Sequence, residues 1–257
     1  MIAKPLLLYL KYYLLYLRRE LMYRPIKVKQ DMFESNKSSI IICGNGPSYN
    51  IFENEYINNP KKYTDYDVLM LNFGAFYSKL KINYHIFEPP KDKFELDRFV
   101  KLLEGSNNSD YKIFRPNSYT SYQRIKELNL KDLFIISEKR IRFLNKDIMY
   151  SDLNKIKSDS ILFCRASMIY ATLFAIKLGY NQIKYVGIDP HTTASFYSPV
   201  IDSGSHLTLM KYSNLSVYDL LNIIANFSLF NNIRFSIQKE SSLDFLSKDY
   251  NNNTNAE

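Results

Sequence analysis

Residues 39–50 read SIIICGNGPSYN, an isoleucine-rich run that a glycine-containing turn ends abruptly. Consecutive apolar residues followed by turn residues predict a buried strand. Gly44 and Gly46 let the backbone approach a ligand closely, and Ser48 offers a hydroxyl where a helix can begin. The pattern therefore predicts a strand, a cradle for a nucleotide or phosphate, and a helix. A turn that only changes the direction of the chain is the alternative.

Six further apolar runs have the length of short strands, and several end on polar side chains. They lie at residues 67–73, 84–87, 112–114, 133–136, 183–189 and 233–237. A helix that begins near Ser167 and stops at Gly179 precedes one of them, and repeated helix-strand units predict an α/β fold with a mostly parallel central sheet and flanking helices. Ligands bind at the carboxyl ends of such strands. Gly44, Asn72, Glu88 and Asp189 all fall there, so we expect them to form one site.

The chain has 257 residues, 46% of them hydrophobic, and a formal net charge of +8. The charge suggests an anionic partner, but much of the positive excess follows an apolar run within residues 1–30. That run is too short to span a bilayer and predicts an amphipathic helix on an anionic membrane surface. A helix packed on the protein's own core is the alternative. The clustering argues against a nucleic-acid partner, which would need basic residues around a groove.

The rest of the chain divides by composition. Residues 38–247 are expected to form one domain, and residues 248–257 a polar tail. Charged or turn-rich stretches at 138–158 and 190–212 predict a lid or small subdomain. Cys43 and Cys164 lie in apolar runs and predict buried thiols in a reducing compartment. His85, inside an apolar strand, is expected to be a core histidine.

Four motifs together carry a family resemblance. They are IICGNGPS at 41–48, the stretch from Asp67 to Asn72, Ser167 with an aliphatic helix into LGY at 178–180, and GID at 187–189 with Tyr197 eight residues later. In order and spacing the chain resembles the bacterial sialyltransferases of glycosyltransferase family 42, which include the Campylobacter lipooligosaccharide enzymes. The resemblance runs from about residue 38 to 200, and more loosely to about 246.

The resemblance implies a single-domain GT-A-like fold and transfer of sialic acid or a related nonulosonic acid from its CMP donor, with inversion and without a metal or other cofactor. It implies that Asn45, Gly46 and Ser48 hold the nucleotide and that Asn72 contacts the phosphate or cytidine. Ser167, at a helix start, would bind the donor's phosphate or carboxylate, and Tyr197 would donate to the departing phosphate. The absence of an Asp-x-Asp pair at a strand end agrees with metal independence.

Three positions depart from the family pattern. His191 stands where a second tyrosine is expected, Glu88 stands where an asparagine is expected, and a segment that often has two histidines has only His206. We take His206 as the base, with His191 next, and note that Lys211 lies near the base position. Glu88 would face the acceptor or a ribose hydroxyl.

The function predicted here is transfer to a lipooligosaccharide, O-antigen or capsule by a bacterial enzyme held by residues 1–29 on the inner face of the cytoplasmic membrane. Use of CMP-Kdo, legionaminic or pseudaminic acid is the first alternative. A non-catalytic scaffold that binds a nucleotide sugar in polysaccharide assembly is the second, and a homo-oligomer is left open. An NAD or S-adenosylmethionine enzyme is disfavoured because the turn lacks a third glycine and no acidic residue ends the second strand.

Overall fold

The computed structural model describes residues 13–14, 17–28, 32–33, 35–139, 145–154, 160–162, 166–189, 215 and 217–238. A seven-stranded sheet forms its centre, with strands β1 (Ser39–Cys43), β2 (Tyr66–Leu71), β3 (Ile82–Phe87), β4 (Ser109–Phe114), β5 (Leu133–Phe134), β8 (Gln182–Val186) and β9 (Arg234–Ile237). Strands β6 (Glu138–Lys139) and β7 (Ile161–Leu162) form a second, two-stranded sheet. Every described pairing is parallel. The predicted α/β class with a mostly parallel sheet is confirmed.

Helices lie on both faces of the sheet. They are α1 (17–23), α2 (Tyr49–Asn58), α3 (Gly74–Tyr77), α4 (Lys93–Glu104), α5 (Tyr119–Glu127), α6 (Lys146–Asn154), α7 (Ser167–Leu178) and α8 (Val217–Phe230). Helix α7 is buried from Met168 to Lys177, which is typical of a helix enclosed by the rest of the protein. Gly179 ends it in a left-handed conformation, with φ 93°.

The isoleucine run of β1 supplies both faces of the sheet. Ile40 and Ile42 pack in the cluster that includes α6, α7 and α8, whereas Ile41 and Cys43 pack with the residues of α2. Successive side chains of a strand point to opposite faces, so a strand covered on both sides is apolar throughout. A third cluster joins α4 and α5 to the outer part of the sheet.

The strand order is β5-β4-β3-β2-β1-β8-β9. The chain therefore starts at β1, moves outward to β5, and returns to the other side of β1 at β8. Such a reversal leaves a crevice at the carboxyl ends of the two central strands, where α/β proteins bind ligands. We call the edge formed by the carboxyl ends of these strands the carboxyl rim.

Two strands end earlier than the sequence predicts. The strand predicted at 67–73 ends at Leu71, because Asn72 turns the chain with φ 48°. The strand predicted at 183–189 ends at Val186, because Gly187 has φ 63°. Both conformations are left-handed and interrupt a ladder. In each case the residues at the predicted strand end become part of a loop at the carboxyl rim.

Residues 17–28 pack against the domain. Arg19 is buried, and the ring of Tyr23 lies 4.7 Å from that of Tyr122 on α5. Ile26 pairs with Ile136 in a parallel bridge, donating its N–H to the carbonyl of residue 135 at 2.7 Å. These contacts are those of the alternative in which the N-terminal segment lies on the protein's own core. No helix in the described part of the chain has the length and apolar character to cross a membrane.

The described part of 138–158 is also packed on the domain. It contains β6 and α6, and Met149 and Leu153 of α6 are buried in the main cluster. The carboxylate of Asp152 lies 3.6 Å from the Lys177 ammonium of α7. Residues 190–212 and 248–257 lie outside the described residues.

Candidate functional site

The glycines of the first turn are required by backbone packing between β1 and β8. Gly44 donates its N–H to the carbonyl of Val186, and Gly46 donates to Gly187, both at 2.8 Å. A Cβ on Gly44 would overlap the Gly187 carbonyl oxygen, and one on Gly46 would overlap the carboxylate of Asp189. Larger residues would push the two loops apart. The turn is therefore a rigid cradle built from two strand ends.

Asp189 fixes Ser48 within that cradle. Its two carboxylate oxygens accept the Ser48 hydroxyl at 2.8 Å and the Ser48 N–H at 2.9 Å. Gln238, just after β9, donates from Nε2 to the Ser48 carbonyl at 3.2 Å. Helix α2 begins at the next residue without a side-chain cap from Ser48, whose own backbone is already helical, with φ −62° and ψ −17°. Asp189 thus acts on the shape of the cradle, and Ser48 presents its hydroxyl oxygen as an acceptor.

Asn72 is held in its left-handed conformation by two neighbours. The Nε2 of His85 lies 2.7 Å from the Asn72 carbonyl oxygen, and the Glu88 N–H donates to the Asn72 side-chain oxygen at 3.1 Å. His85 is fully buried, and burial lowers its pKa to about 3, so at neutral pH its uncharged ring donates from Nε2. His85 lies in the core as expected and positions Asn72 through Nε2, but its buried Nδ1 has no hydrogen-bond partner among the described residues.

Asn72 and Ser167 meet across the rim although they are far apart in sequence. The Asn72 Nδ2 lies 3.4 Å from the Ser167 hydroxyl oxygen. Ser167 is the first residue of α7, and Ala166 before it provides no side-chain cap. The first N–H groups of a helix have no intrahelical acceptor, and the helix dipole favours negative charge there. An amide, a hydroxyl and free backbone N–H groups therefore converge, which is a donor set suited to a phosphate or carboxylate.

Glu88 and Arg115 extend the rim to β4. Arg115 follows β4 directly, and its guanidinium lies 3.7 Å from the Glu88 carboxylate and 3.1 Å from that of Glu138. It also lies over the ring of Tyr170 on α7, 4.0 Å from the centroid. Burial is the largest single influence on the pKa of Arg115 and lowers it, but Glu138, Tyr170 and Glu88 together outweigh burial, so the pKa of Arg115 is raised.

Sequence reasoning missed Arg115 and Gln238, although a signal for both was present. Each follows a predicted strand directly, as Glu88 does. The rule that selected Asn72 and Glu88 would have found them if it had been applied to the shorter strands. Among the described residues, the buried side-chain oxygens of Gln238 and of Asn45 in the cradle have no hydrogen-bond partner. Unpartnered buried acceptors are costly, and a ligand N–H or O–H would satisfy them.

The structure places the described candidates along one edge. The cradle, ending on β1, contacts Asp189 after β8, while the neighbouring strand ends carry Asn72 and Glu88, and Ser167 joins Asn72 from α7. His191, Tyr197, His206 and Lys211, predicted as catalytic or near the base, lie outside the described residues. Among the residues described, no group of three or more His, Cys, Asp or Glu side chains is arranged to hold a metal ion.

Comparisons with known proteins concern the fold. No family model and no curated protein matches the sequence. An alpha-2,3-sialyltransferase from Campylobacter jejuni in apo form is 20% identical over 85% of this chain and 82% of that chain, with a TM-score of 0.47. The C. jejuni sialyltransferase CstII in complex with cytidine-5'-monophosphate is 18% identical over 82% and 84% of the two chains, with a TM-score of 0.47. The monofunctional C. jejuni enzyme Cst-I is 18% identical over 85% and 82%, with a TM-score of 0.43. At 18–20% sequence identity, the similarity to these structures concerns the fold alone.

Proposed function

We propose that this protein is a glycosyltransferase that moves sialic acid or a related nonulosonic acid from its CMP donor to a bacterial surface glycan. The observation that carries the proposal is the contact between Asn72 and Ser167. These residues lie 95 positions apart, and the motif resemblance implies that both bind the donor. Their meeting at the carboxyl rim, beside the cradle of β1, supports a donor site there.

The proposed roles follow from hydrogen-bonding capacity. The donor phosphate binds the Asn72 amide, the Ser167 hydroxyl and the free N–H groups of α7. The Asn45 side-chain oxygen, which is buried and has no partner in the described part of the chain, accepts from a ribose hydroxyl or the cytosine amino group. Gly44, Gly46 and Asp189 keep the cradle in shape, so that Ser48 lies beside the nucleotide.

In the proposed reaction the bond between the anomeric carbon and the phosphate oxygen breaks, and a bond from the acceptor hydroxyl oxygen forms on the opposite face with inversion. The electron pair of the broken bond stays on CMP, and the acceptor proton moves to a base. We assign that base to His206, with His191 as the alternative, and Tyr197 as a donor to the departing phosphate. One preorganised donor is worth about 3 kcal/mol in the transition state, so several donors would perform the work of a metal.

Membrane association is part of the proposal. Helix α1 turns Arg19 inward, while Leu14, Arg18, Leu21 and Arg24 are exposed. The side chains of Leu14 and Leu21 are 55% and 78% exposed. Leucines between arginines fit an anionic bilayer surface, where the acceptor glycolipid would be found. We place the protein on the inner face of the cytoplasmic membrane.

Ligand-dependent melting tests the donor. CMP at about 100 times its dissociation constant should raise the melting temperature by roughly 5–10 °C, and UDP or NAD should leave it near the ligand-free value. Equal shifts with all three would reject the CMP assignment.

Incubation with CMP-activated sugars then separates an enzyme from a scaffold, since only an enzyme releases CMP. His206→Ala should abolish release while CMP binding persists, and full activity in that variant would move the base to another residue.

A further inference from the structure

Helix α1 reaches the carboxyl rim through a chain of buried charges. Arg19 of α1 contacts Glu138 at 3.0 Å, Glu138 contacts Arg115 at 3.1 Å, and Arg115 contacts Glu88 at 3.7 Å. The side chains of Arg19, Glu138 and Arg115 are 6%, 1% and 2% exposed, and that of Glu88 is 30% exposed. The signs alternate from the N-terminal helix to the site. We call these four residues the charge chain.

The four described members balance in charge. Glu138 lies between two arginines, and Glu88 supplies the second carboxylate. Removing one member of a buried ion pair is strongly destabilising because it leaves a charge without its partner. The loss of one charge therefore changes the electrostatic balance of the next residue in the charge chain, and this effect extends to Glu88 at the carboxyl rim.

The position of Glu138 is fixed by the N-terminal segment in two ways, through the preceding Ser137 and through its own carboxylate. Ser137 donates its N–H to the Ile26 carbonyl at 2.8 Å and its hydroxyl to Glu20 at 3.2 Å. Arg19 contacts the carboxylate of Glu138 itself. Residues of α1 and of the strand segment after it thus determine where Glu138 lies. Since Arg115 is held by Glu138 and by the ring of Tyr170, they also determine where Arg115 meets Glu88.

We propose that Arg19 is a positioning residue for the donor site, acting through Glu138 and Arg115 on the carboxylate of Glu88. Without Arg19, Glu138 draws Arg115 more strongly and the hold of Arg115 on Glu88 weakens. The Glu88 carboxylate then faces the rim beside Asn72, whose side chain accepts the Glu88 N–H, and repels an anionic ligand. This inference rests on the proposed function only for the identity of that ligand.

A ligand-free melting experiment tests the coupling. Within the charge chain of the wild-type protein, Glu88→Gln leaves two arginines with one carboxylate and should lower the melting temperature. In an Arg19→Met background the same change leaves the charge chain with one arginine and one carboxylate and should raise the melting temperature. Arg18→Met removes the same charge from the exposed side of α1, so there Glu88→Gln should again lower the melting temperature.

Additive effects of Arg19→Met and Glu88→Gln, which make no direct contact, would overturn the coupling. If Arg19→Met alone fails to fold, the double variant with Glu88→Gln should still fold, and its failure would overturn the proposal as well.

CMP affinity tests the link to the site. Arg19→Met should weaken CMP binding about fivefold, the size expected for one unpaired charge near an anion site, and Glu88→Gln in that background should restore it. Arg18→Met should bind CMP as the wild type does. Unchanged CMP affinity in a folded Arg19→Met protein would overturn the positioning role. If wild-type protein does not bind CMP, the proposed function fails, and the melting experiment still decides the coupling.

Discussion

Ser48 gives both of its hydrogen-bond donors to one carboxylate, that of Asp189, from a position 141 residues earlier in the chain. The contact joins the loop after β1 to the loop after β8, the two strands between which the sheet reverses direction. Gly46 allows it, because any side chain there would occupy the space of the Asp189 carboxylate. The crevice at the reversal is thus braced by protein groups before any ligand arrives.

Replacing Asp189 by Ala should loosen this brace. The Ser48 N–H and hydroxyl would lose their acceptors, and unfolding free energy should fall by about 2 kcal/mol. Asp189→Asn should cost less, because the Asn oxygen can accept the N–H while its amide donates to the hydroxyl. Urea denaturation of the two variants measures this, and an unfolding free energy of Asp189→Ala equal to that of the wild type would mean that the carboxylate does not brace the cradle.

Gly46→Ala should be far more damaging than a glycine substitution elsewhere. The added Cβ would overlap the Asp189 carboxylate, so the two loops must separate, and a loss of at least about 2 kcal/mol in unfolding free energy is expected. Gly105→Ala is the matched control, since its Cβ would meet nothing closer than 3.7 Å. Melting curves of both proteins decide the point, and similar stabilities would contradict the close packing of the cradle.

The sequence was informative where one local pattern determines one local structure. The apolar run of β1, the break at Gly44 and the stop at Gly179 all form as predicted, because burial and backbone freedom depend on few residues. The partners of Asp189 and Glu138 could not be predicted from the sequence, since they depend on which strands become neighbours. The packing partner of α1 could not be predicted for the same reason, because a helix with leucines and arginines suits either a membrane or a protein surface. The contact with Glu138 is what turns Arg19 towards the protein.

His85 predicts a specific dependence of stability on pH. Its pKa is about 3 in the folded protein because of burial, whereas about 6.5 is normal for an unfolded chain. Between these values the unfolded state binds more protons, so stability should fall as pH falls from about 6.5 towards 3, by about 1 kcal/mol per pH unit from this group. Above that window His85 is neutral in both states and contributes no pH dependence.

The matched variant for this measurement is His85→Gln, which does not titrate and can still donate to the Asn72 carbonyl. Urea denaturation from pH 4 to 8 should give a shallower acid slope in the variant, and the two other histidines of the chain contribute to both proteins alike. Identical slopes would mean that His85 is not the group responsible.

Asn72→Gly should remove the side-chain amide while keeping the backbone conformation. Glycine adopts φ near 48° without strain, so the fold should persist, while CMP affinity should fall by about tenfold or more for loss of a hydrogen bond to a charged group. Asn129→Gly, at an exposed residue with φ 47°, controls for the backbone effect of glycine. Calorimetric titration with CMP measures both, and wild-type affinity in Asn72→Gly would remove Asn72 from the donor site.

The exposed face of α1 leads to a prediction about membrane binding that can be separated from folding. Leu21 is 78% exposed and Leu14 is 55% exposed, so replacing both by Glu should leave the melting temperature close to that of the wild type. Burying a leucine at a bilayer surface contributes about 1.5–3 kcal/mol, and two added carboxylates are repelled by anionic lipid, so sedimentation with phosphatidylglycerol vesicles should be lost. Replacing Ile51 and Ile57, which are exposed on α2, by Glu adds the same charge elsewhere and should leave sedimentation largely intact.

Deletion of residues 1–28, by contrast, removes Arg19 together with the segment that pairs with Ile136, and should lower stability as well as membrane binding. If the Leu14 and Leu21 variant sediments as the wild type does, the outer face of α1 is not the membrane-binding surface.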